Sequence, residues 1–290
     1  MPATTLTDRL CMVLSMLLSG TIGWAVTVSG HPPATVVLFR CLIGALALAC
    51  WLLLRRQWQP LSRAALGWIL LGGLALSLNW LALFSAYRYS SLSVVTLVYH
   101  LQPLLLLILA ARWQGERLPA GIWGSLLLAL SGVLLTCDLN PGDWQHTQWQ
   151  GPLLAALAAL LYALATLLIR QVKQVPPAQI ATLQLGFSGV MFLPAAAGLS
   201  TMALAASLPV LLILGLVHTA GMYLLMYRAF QRLTAAEIAM LSYLYPVTTL
   251  LVDRQVFHVQ LHTGQWLGVA LILLALLRQQ QLQRKARPQA

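Results

Sequence analysis

Apolar residues in this chain neither alternate nor keep to one helical face; they run on without a break. Ten stretches of mainly Leu, Ala, Val and Gly are separated by brief polar connections. They fall at roughly 10–28, 33–54, 65–86, 92–111, 120–137, 151–169, 178–199, 208–227, 235–253 and 264–278. Each is near the ~20 residues that an α-helix needs to cross the hydrocarbon of a bilayer. Continuous runs without period-two alternation favour helices over a β-barrel. The predicted fold class is therefore an all-α integral membrane protein of ten transmembrane helices, the fifth and tenth being the shortest. The longest connection, Asp138–Gln150, is rich in Pro, Gly, Trp and Gln and reads as an interfacial loop. The first run exceeds the ~7–15 apolar residues of a secretory signal, and no clear small-x-small cleavage pattern follows it, so it reads as an uncleaved helix.

Two runs carry a proline near their middle, each after a cluster of polar and aromatic residues. These are Tyr99-His100-Leu101-Gln102-Pro103 and Ser242-Tyr243-Leu244-Tyr245-Pro246. Proline frees a backbone carbonyl and bends the helix. Lipid does not satisfy such a group, so both bends are expected to face protein or a water-lined cavity. The offset of 143 residues extends well beyond the prolines. It places Gly121 on Gly264, Trp123 on Trp266, Ser91 on Thr234, Tyr87 on Phe230 and Ser19 on Tyr162. With one inserted residue, Pro33-Ala34 falls on Pro177-Ala178 and Arg40 on Gln184. The chain thus reads as two five-helix units, 1–140 and 141–290, forming one membrane domain. Five crossings are an odd number, so the second unit is inverted, the arrangement of secondary transporters with a substrate site near the midplane.

Composition fits this reading. Of 290 residues 60% are hydrophobic and 8% charged, with mean hydropathy +0.81, against about 25% charged in soluble domains. The net charge of +11 would suggest nucleic acid in a soluble protein. Here the basic residues stand singly or in small groups between apolar runs, so no nucleic-acid partner is expected. With the N-terminus inside, the inner segments hold Arg9, Arg55, Arg56, Arg63, Arg112, Arg117, Arg170, Lys173, Arg228, Arg232, Arg278, Arg284, Lys285 and Arg287. The outer ones hold Arg88 and Arg254, and Arg40 lies within the second run. This asymmetry puts both termini in the cytoplasm and the protein in the cell inner (plasma) membrane. The four cysteines, Cys11, Cys41, Cys50 and Cys137, form no C-x-x-C pair and read as small buried hydrophobes, not as a disulfide frame or metal site. No phosphate-binding G-x-x-x-x-G-K-[ST] loop, H-E-x-x-H or G-x-S-x-G occurs. No cofactor or metal is expected.

Asn79 to Leu135 carries Phe84-Ser85-Ala86-Tyr87-Arg88-Tyr89-Ser90-Ser91, Leu101-Gln102-Pro103, Gly115-Glu116-Arg117-Leu118 and Gly124. Tyr227 to Leu277 carries Leu244-Tyr245-Pro246 and Gly264-Gln265-Trp266-Leu267-Gly268. With Phe39-Arg40 and Tyr162-Ala163, this order and duplication resemble the drug/metabolite transporter superfamily, EamA type, over nearly the whole chain. The resemblance implies ten helices in two repeats and export of small metabolites, amino acids or toxic organic compounds, driven by the substrate gradient or by protons. Family members often place Glu before the repeat proline, where this chain has Gln102 and Tyr245; the Gly-Glu of the first repeat falls on His258-Val259 in the second.

The substrate-binding candidates surround the prolines. Thr96, Tyr99 and Pro103 share a face by helical spacing, with Gln102 beside them; Ser242, Tyr245 and Thr249 do the same in the second copy. Asn79, Tyr162, His218 and Tyr223 supply polar or aromatic groups from other helices. Hydroxyls, amides and aromatic faces suit a neutral or zwitterionic substrate. Taken singly, each also reads as an interhelical hydrogen bond of about 0.6 kcal/mol. Pro103 and Pro246 are the hinge candidates, and helices 3, 4, 8 and 9, helped by 1 and 6, are expected to line the cavity. Arg40 and Glu237 are charge or coupling candidates. Arg40 either attracts an anionic substrate group or snorkels to the outer interface. Glu237 either serves proton coupling or, lying within a turn of the cytoplasmic end, faces water or pairs with Arg232; its position favours the latter. His100 and His218 are proton-carrier candidates by their accessible pKa, but with no partner visible in sequence they read as packing residues. Trp58, Trp68, Trp144 and Trp149 read as interfacial anchors, and Gly264 with Gly268 as a small-x-x-x-small pair for helix packing, within the chain or in a homodimer.

Partners follow as a small-molecule substrate, protons as a candidate coupling ion, and membrane lipid. Two other classes are open. One is a lipid flippase or accessory membrane subunit. The other is a rhomboid-like intramembrane serine protease, from Gly186-Phe187-Ser188-Gly189 with His218 as base; ten helices in two repeats argue against it.

Overall fold

A computed structural model describes residues 5–90, 92–115, 118, 121–137, 139, 148–197, 201–258 and 260–286. The Gly115-Glu116-Arg117 motif lies partly outside the described residues, as do Ser91, Val259 and Arg287, Trp144 and most of the Asp138–Gln150 connection.

Among the described residues the regular structure is helical, and its helices fall into ten successive segments, one on each apolar run. They are α1 (Leu6–Ser29), α2 (Pro33–Leu54), α3 (Arg63–Ala86), α4 (Leu92–Tyr99) with α5 (Gln102–Trp113), α6 (Ile122–Thr136), α7 (Gln150–Gln171), α8 (Pro177–Met191), α9 (Thr201–Gly215) with α10 (Met222–Arg232), α11 (Ala235–Ser242) with α12 (Leu244–Val256), and α13 (Thr263–Ala286). By length and composition seven of these segments are long and apolar enough to cross a membrane, and Ile122–Thr136 is a shorter apolar helix. On the tenth run the helix α13 continues past the apolar residues into a polar C-terminal stretch. The chain is an all-α membrane protein.

Local chemistry sets the helix boundaries. Thr5 and Asp8 close a capping box at the start of α1, and Gly30, at φ 67°, ends it. The left-handed conformation there favours glycine. Pro33 and Pro177 open α2 and α8 at the first turn, where a missing N–H costs nothing. These two prolines are repeat equivalents. Thr234 and Glu237 form a second capping box at the start of α11.

In space the chain divides into two compact units, each drawn from both halves of the sequence: Met1–Leu81 with Leu164–Leu233, and Ala82–Ala163 with Thr234–Ala290. In the first unit α2 packs on α8 and α9, and α10 packs on α1 and α8. Buried polar groups tie it together. The Gln179 amide clamps the Gln59 backbone, accepting from its N–H at 3.0 Å and donating to its carbonyl at 2.8 Å. Ser77 donates to Ser188 at 2.8 Å. Asp8 pairs with Arg228 at 3.3 Å.

In the second unit α13 lies along α6 and α11 along α5. The backbones of α6 and α13 meet at Gly132 and Gly268: a Cβ on Gly132 would fall 2.6 Å from the Gly268 carbonyl oxygen. The packing glycine is thus Gly268 against Gly132 of another helix, whereas Gly264 has nothing within reach of a Cβ.

Candidate functional site

Both proline helices break where expected, and the break is slight. Leu101 N–H donates to the Val98 carbonyl at 3.1 Å, a tight i−3 bond, before α5 resumes with Pro103 in its first turn. Tyr243 N–H does the same to Met240 at 3.2 Å, ahead of Pro246. The turn residues keep right-handed helical angles, Leu101 at φ −70°, ψ −14° and Tyr243 at φ −71°, ψ −4°. Thr96 and Tyr99 therefore stand on α4 and Pro103 on α5, joined by a turn of 3₁₀ character.

The second unit gathers an aromatic cluster at these turns. His100, buried, is its centre. The His100 ring stacks on Tyr245 at 5.6 Å between centroids and meets Tyr99 edge-on at 6.5 Å; Tyr99 lies 6.3 Å from Tyr162. His100 Nδ1 is 2.7 Å from the Thr96 carbonyl oxygen. A carbonyl only accepts, so Nδ1 carries a proton and Nε2 is the site that remains to titrate. Tyr243, the residue 143 positions beyond His100, donates its hydroxyl to the His100 carbonyl at 3.4 Å. The two repeat-related turns thus touch through equivalent positions. His100 has the partners its sequence did not reveal, and belongs to the cluster.

Gln102 is buried beside this turn, and its Nε2 finds no acceptor among the described residues. Ser242 is turned back onto its own helix, donating to the Ile238 carbonyl at 2.8 Å. Glu237 is buried in the capping box, its carboxylate accepting from Thr234 N–H and Oγ1–H, both at 3.2 Å.

The first unit holds Asn79, Arg40, His218 and Tyr223. Asn79 is fully buried on α3. Tyr223, also buried, packs edge-on to Tyr227 at 5.2 Å, and Tyr227 donates its hydroxyl to Gln184. Arg40 does not snorkel. It is 6% exposed, donates from Nε to Thr219 Oγ1 at 3.0 Å and from Nη2 to the His218 carbonyl at 3.1 Å, and lies over the Trp80 ring at 5.8 Å. Its repeat equivalent Gln184 likewise donates to a backbone carbonyl, that of Ile69, at 2.9 Å.

Arg40 lies against a π-helical turn, Leu216–Gly221, between α9 and α10. Thr219 explains the turn's width: its hydroxyl donates to the Leu214 carbonyl, five residues back, at 2.8 Å. Gly44 lets α2 come this close, since a Cβ there would fall 2.7 Å from Thr219 Cγ2. His218 Nε2 is 2.7 Å from Thr21 Oγ1, and its Nδ1 is 3.4 Å from the Ile213 carbonyl. Ser188 is engaged by Ser77. The Ser188–His218 dyad that a rhomboid-like protease requires is therefore not assembled.

Beyond the candidates read from sequence, the structure adds Thr21, Trp80, Thr219 and Tyr243. Only Tyr243 had a sequence signal, as the 143-residue image of His100. A cavity of 330 Å³ in the second unit is lined by Leu97, Val98, Leu101, Leu127, Leu130, Ser131 and Leu134. Its one hydroxyl, on Ser131, is bonded to the Leu127 carbonyl at 2.9 Å. No group of three or more His, Cys, Asp or Glu side chains suited to a metal occurs among the described residues. The described cysteines are free, Cys11 and Cys41 buried and Cys50 exposed.

The profile of the EamA-like transporter family matches this chain twice, over residues 9–137 and 149–278. An uncharacterised transporter of Bacillus subtilis, YxxF, is 29% identical over 93% of this chain and 89% of its own length. The pseudopaline exporter CntI of Pseudomonas aeruginosa is 28% identical over 49% of this chain and 48% of its own. A protein of known crystal structure shares the fold with a TM-score of 0.81 at 19% identity, covering 97% of this chain and 99% of that one.

Proposed function

The chain belongs to the EamA-like transporter family, and from that premise we propose that it exports a small organic metabolite across the plasma membrane. It works by alternating access to a cavity at mid-membrane depth. The repeats 1–140 and 141–290 lie in opposite sense, with both termini in the cytoplasm. Energy comes from the substrate's own gradient or from protons. The similarity to an exporter supports the direction of transport.

The observation that carries the substrate class is the ring cluster at the two proline turns. Tyr99, Tyr162 and Tyr245 are half-buried around buried His100, with the Gln102 amide donor beside them. Aromatic faces with a few convergent donors suit a neutral or zwitterionic solute of amino-acid size. The cavity lined by leucines offers a lipid headgroup no polar partner beyond the engaged Ser131 hydroxyl, so it lends a flippase no support. The test is flux of a panel of radiolabelled amino acids and small organic amines from proteoliposomes containing the full chain. Wild type is expected to move at least one of them, and Tyr99→Ala to slow it without loss of the folded protein. A panel-wide failure of wild type overturns the reading.

A further inference from the structure

His218 is a buried imidazole in the π-helical turn, and both of its nitrogens meet oxygen atoms within the first unit. Nδ1 faces the Ile213 carbonyl, five residues back on its own segment, at 3.4 Å. Nε2 is 2.7 Å from Thr21 Oγ1 on α1. The Thr21 hydroxyl in turn donates to the Leu18 carbonyl at 2.8 Å. These contacts make one chain of hydrogen bonds from α9 through the imidazole to α1.

Counting hydrogens shows what the chain requires. Carbonyl oxygens only accept, so Nδ1 has to supply the hydrogen on the Ile213 side and Thr21 the one on the Leu18 side. The Thr21 hydroxyl has a single hydrogen, so Nε2 has to supply the one between ring and hydroxyl. A neutral imidazole carries one N–H and leaves the chain one hydrogen short. The imidazolium carries two and completes it. With a neutral ring, the Thr21 hydroxyl turns away from Leu18 and donates to Nε2. Rotation of one hydroxyl hydrogen thus lets the ring gain or lose a proton with no heavy atom moved.

We propose that His218 is the binding site of the coupling proton and that Thr21 is the residue through which α1 responds to it. The proposal rests on the export reading and names the site of its energy source. A proton taken from water onto Nε2 makes the bond to Thr21 charge-assisted, and so stronger than its neutral form. Proton binding then favours the arrangement in which α1 touches the π-helical turn, and by linkage that arrangement favours proton binding. Parting α1 from the turn takes the Thr21 acceptor away from Nε2–H, and the proton returns to water. A π-helical turn within a helical segment is a recurrent setting for such a site.

The surrounding charges suit release as well as uptake. The turn packs against α1, α2, α9 and α10. No side chain of α9 titrates. From α2, Arg40 donates to the His218 carbonyl, and its positive charge opposes a second one on the ring; α2 also holds the buried Cys41 thiol. Tyr223 and Tyr227 of α10 pack on each other. The charged residues of α1 and α10, Asp8, Arg9, Arg228 and Arg232, lie towards the helix ends remote from Thr21 and His218, and Asp8 is paired with Arg228. Asp8 is the one carboxylate on these four helices. Hydrogen bonds, and not a counter-charge, therefore hold the proton, and loss of the Thr21 contact is enough to expel it.

Two experiments on the purified full chain test the site. In the first, ¹⁵N-histidine NMR follows the His218 ring as pH is lowered, its signal assigned by its loss in His218→Gln. The wild-type ring is expected to titrate between about pH 5 and 8. Thr21→Val is expected to bind the proton roughly tenfold more weakly, the effect of one hydrogen bond to a charged group, and Thr21→Ser to restore the wild-type midpoint. A threonine with a packing role alone would change the melting temperature and leave the midpoint in place. A wild-type ring that does not titrate in that range, or one midpoint shared by wild type and Thr21→Val, overturns the proposal. In the second, proteoliposomes carrying the amino-acid and amine panel are exposed to an outside-acid pH gradient. Wild type is expected to accelerate efflux several-fold over its rate at equal pH, Thr21→Val to lose most of that acceleration and Thr21→Ser to keep it. Gradient-independent flux in wild type, or a full gradient response in Thr21→Val, overturns the coupling role. If wild type moves no solute of the panel, the export reading fails, and the NMR titration alone decides whether His218 is the proton site.

Discussion

A guanidinium inside a membrane span has to be held by its surroundings, and Arg40 is held by a hydroxyl, a carbonyl and an indole face in place of a carboxylate. Its planar fork donates in two directions at once, to Thr219 and to His218, which a lysine ammonium on a flexible stem does not reproduce. Arg40→Lys retains the buried charge while losing one donor. It is expected to destabilise by about 1–3 kcal/mol. Arg40→Gln removes the charge together with the donors and is expected to cost less, since an unpaired buried charge is the larger penalty. Thermal unfolding of both variants in one detergent checks the order; Arg40→Gln as the weaker variant would mean that Arg40 meets an anion. Glu237 obeys different physics. Its carboxylate completes the α11 capping box, and glutamine serves that box equally well. Glu237→Gln is expected to leave melting temperature and flux unchanged, whereas Thr234→Val loses about 1 kcal/mol with the cap. A collapse of flux in Glu237→Gln would restore the coupling reading for this residue.

Breaks and close approaches give each helix its own logic. At Pro103 the missing N–H leaves the Tyr99 carbonyl without its helical donor, and the chain tightens into an i−3 bond one residue earlier. Pro103→Ala returns that donor, and because Pro103 stands in the first turn of α5, where a missing N–H costs little, the gain in stability is small. The variant is expected to melt at or above the wild-type temperature yet transport more slowly, because α4 and α5 become one rigid rod. Unchanged flux would remove the hinge role. The α6–α13 contact responds in the opposite way. Gly268→Leu drives a side chain into the Gly132 carbonyl and Thr136 and is expected to cost at least the 1–3 kcal/mol of an overpacked core, read as a lower melting temperature. The two proline breaks were legible in the sequence because proline acts locally. The π-turn at Leu216–Gly221 was not: Thr219 widens it and Arg40, 179 residues away, donates to it. The Thr21–His218 pair was hidden for the same reason, and no periodicity marks it.

Across the whole molecule, the 143-residue repeat and the family profile agree on two copies of one unit, yet each compact unit mixes helices from both copies. A repeat in sequence records descent, whereas compactness records which apolar faces bury each other. That is why Tyr243 reaches the carbonyl of His100, its own repeat image, inside one unit. An odd number of crossings per copy makes inversion a countable property, with a direct consequence for equivalent loops. The loop after the second helix of the first copy contains Gln57, and the corresponding stretch of the second copy contains Met202; both side chains are exposed. Lys and Arg cluster on the Gln57 side, at Arg55, Arg56 and Arg63, while the residues around Met202 carry none. Under the positive-inside rule Gln57 is expected in the cytoplasm and Met202 outside. In a chain whose Cys11, Cys41, Cys50 and Cys137 are replaced by Ser or Ala, a membrane-impermeant maleimide applied to intact cells is expected to label Met202→Cys. It should label Gln57→Cys only after the membrane is opened. Labelling of both from one side would mean parallel repeats, and would remove the inverted frame on which alternating access here depends.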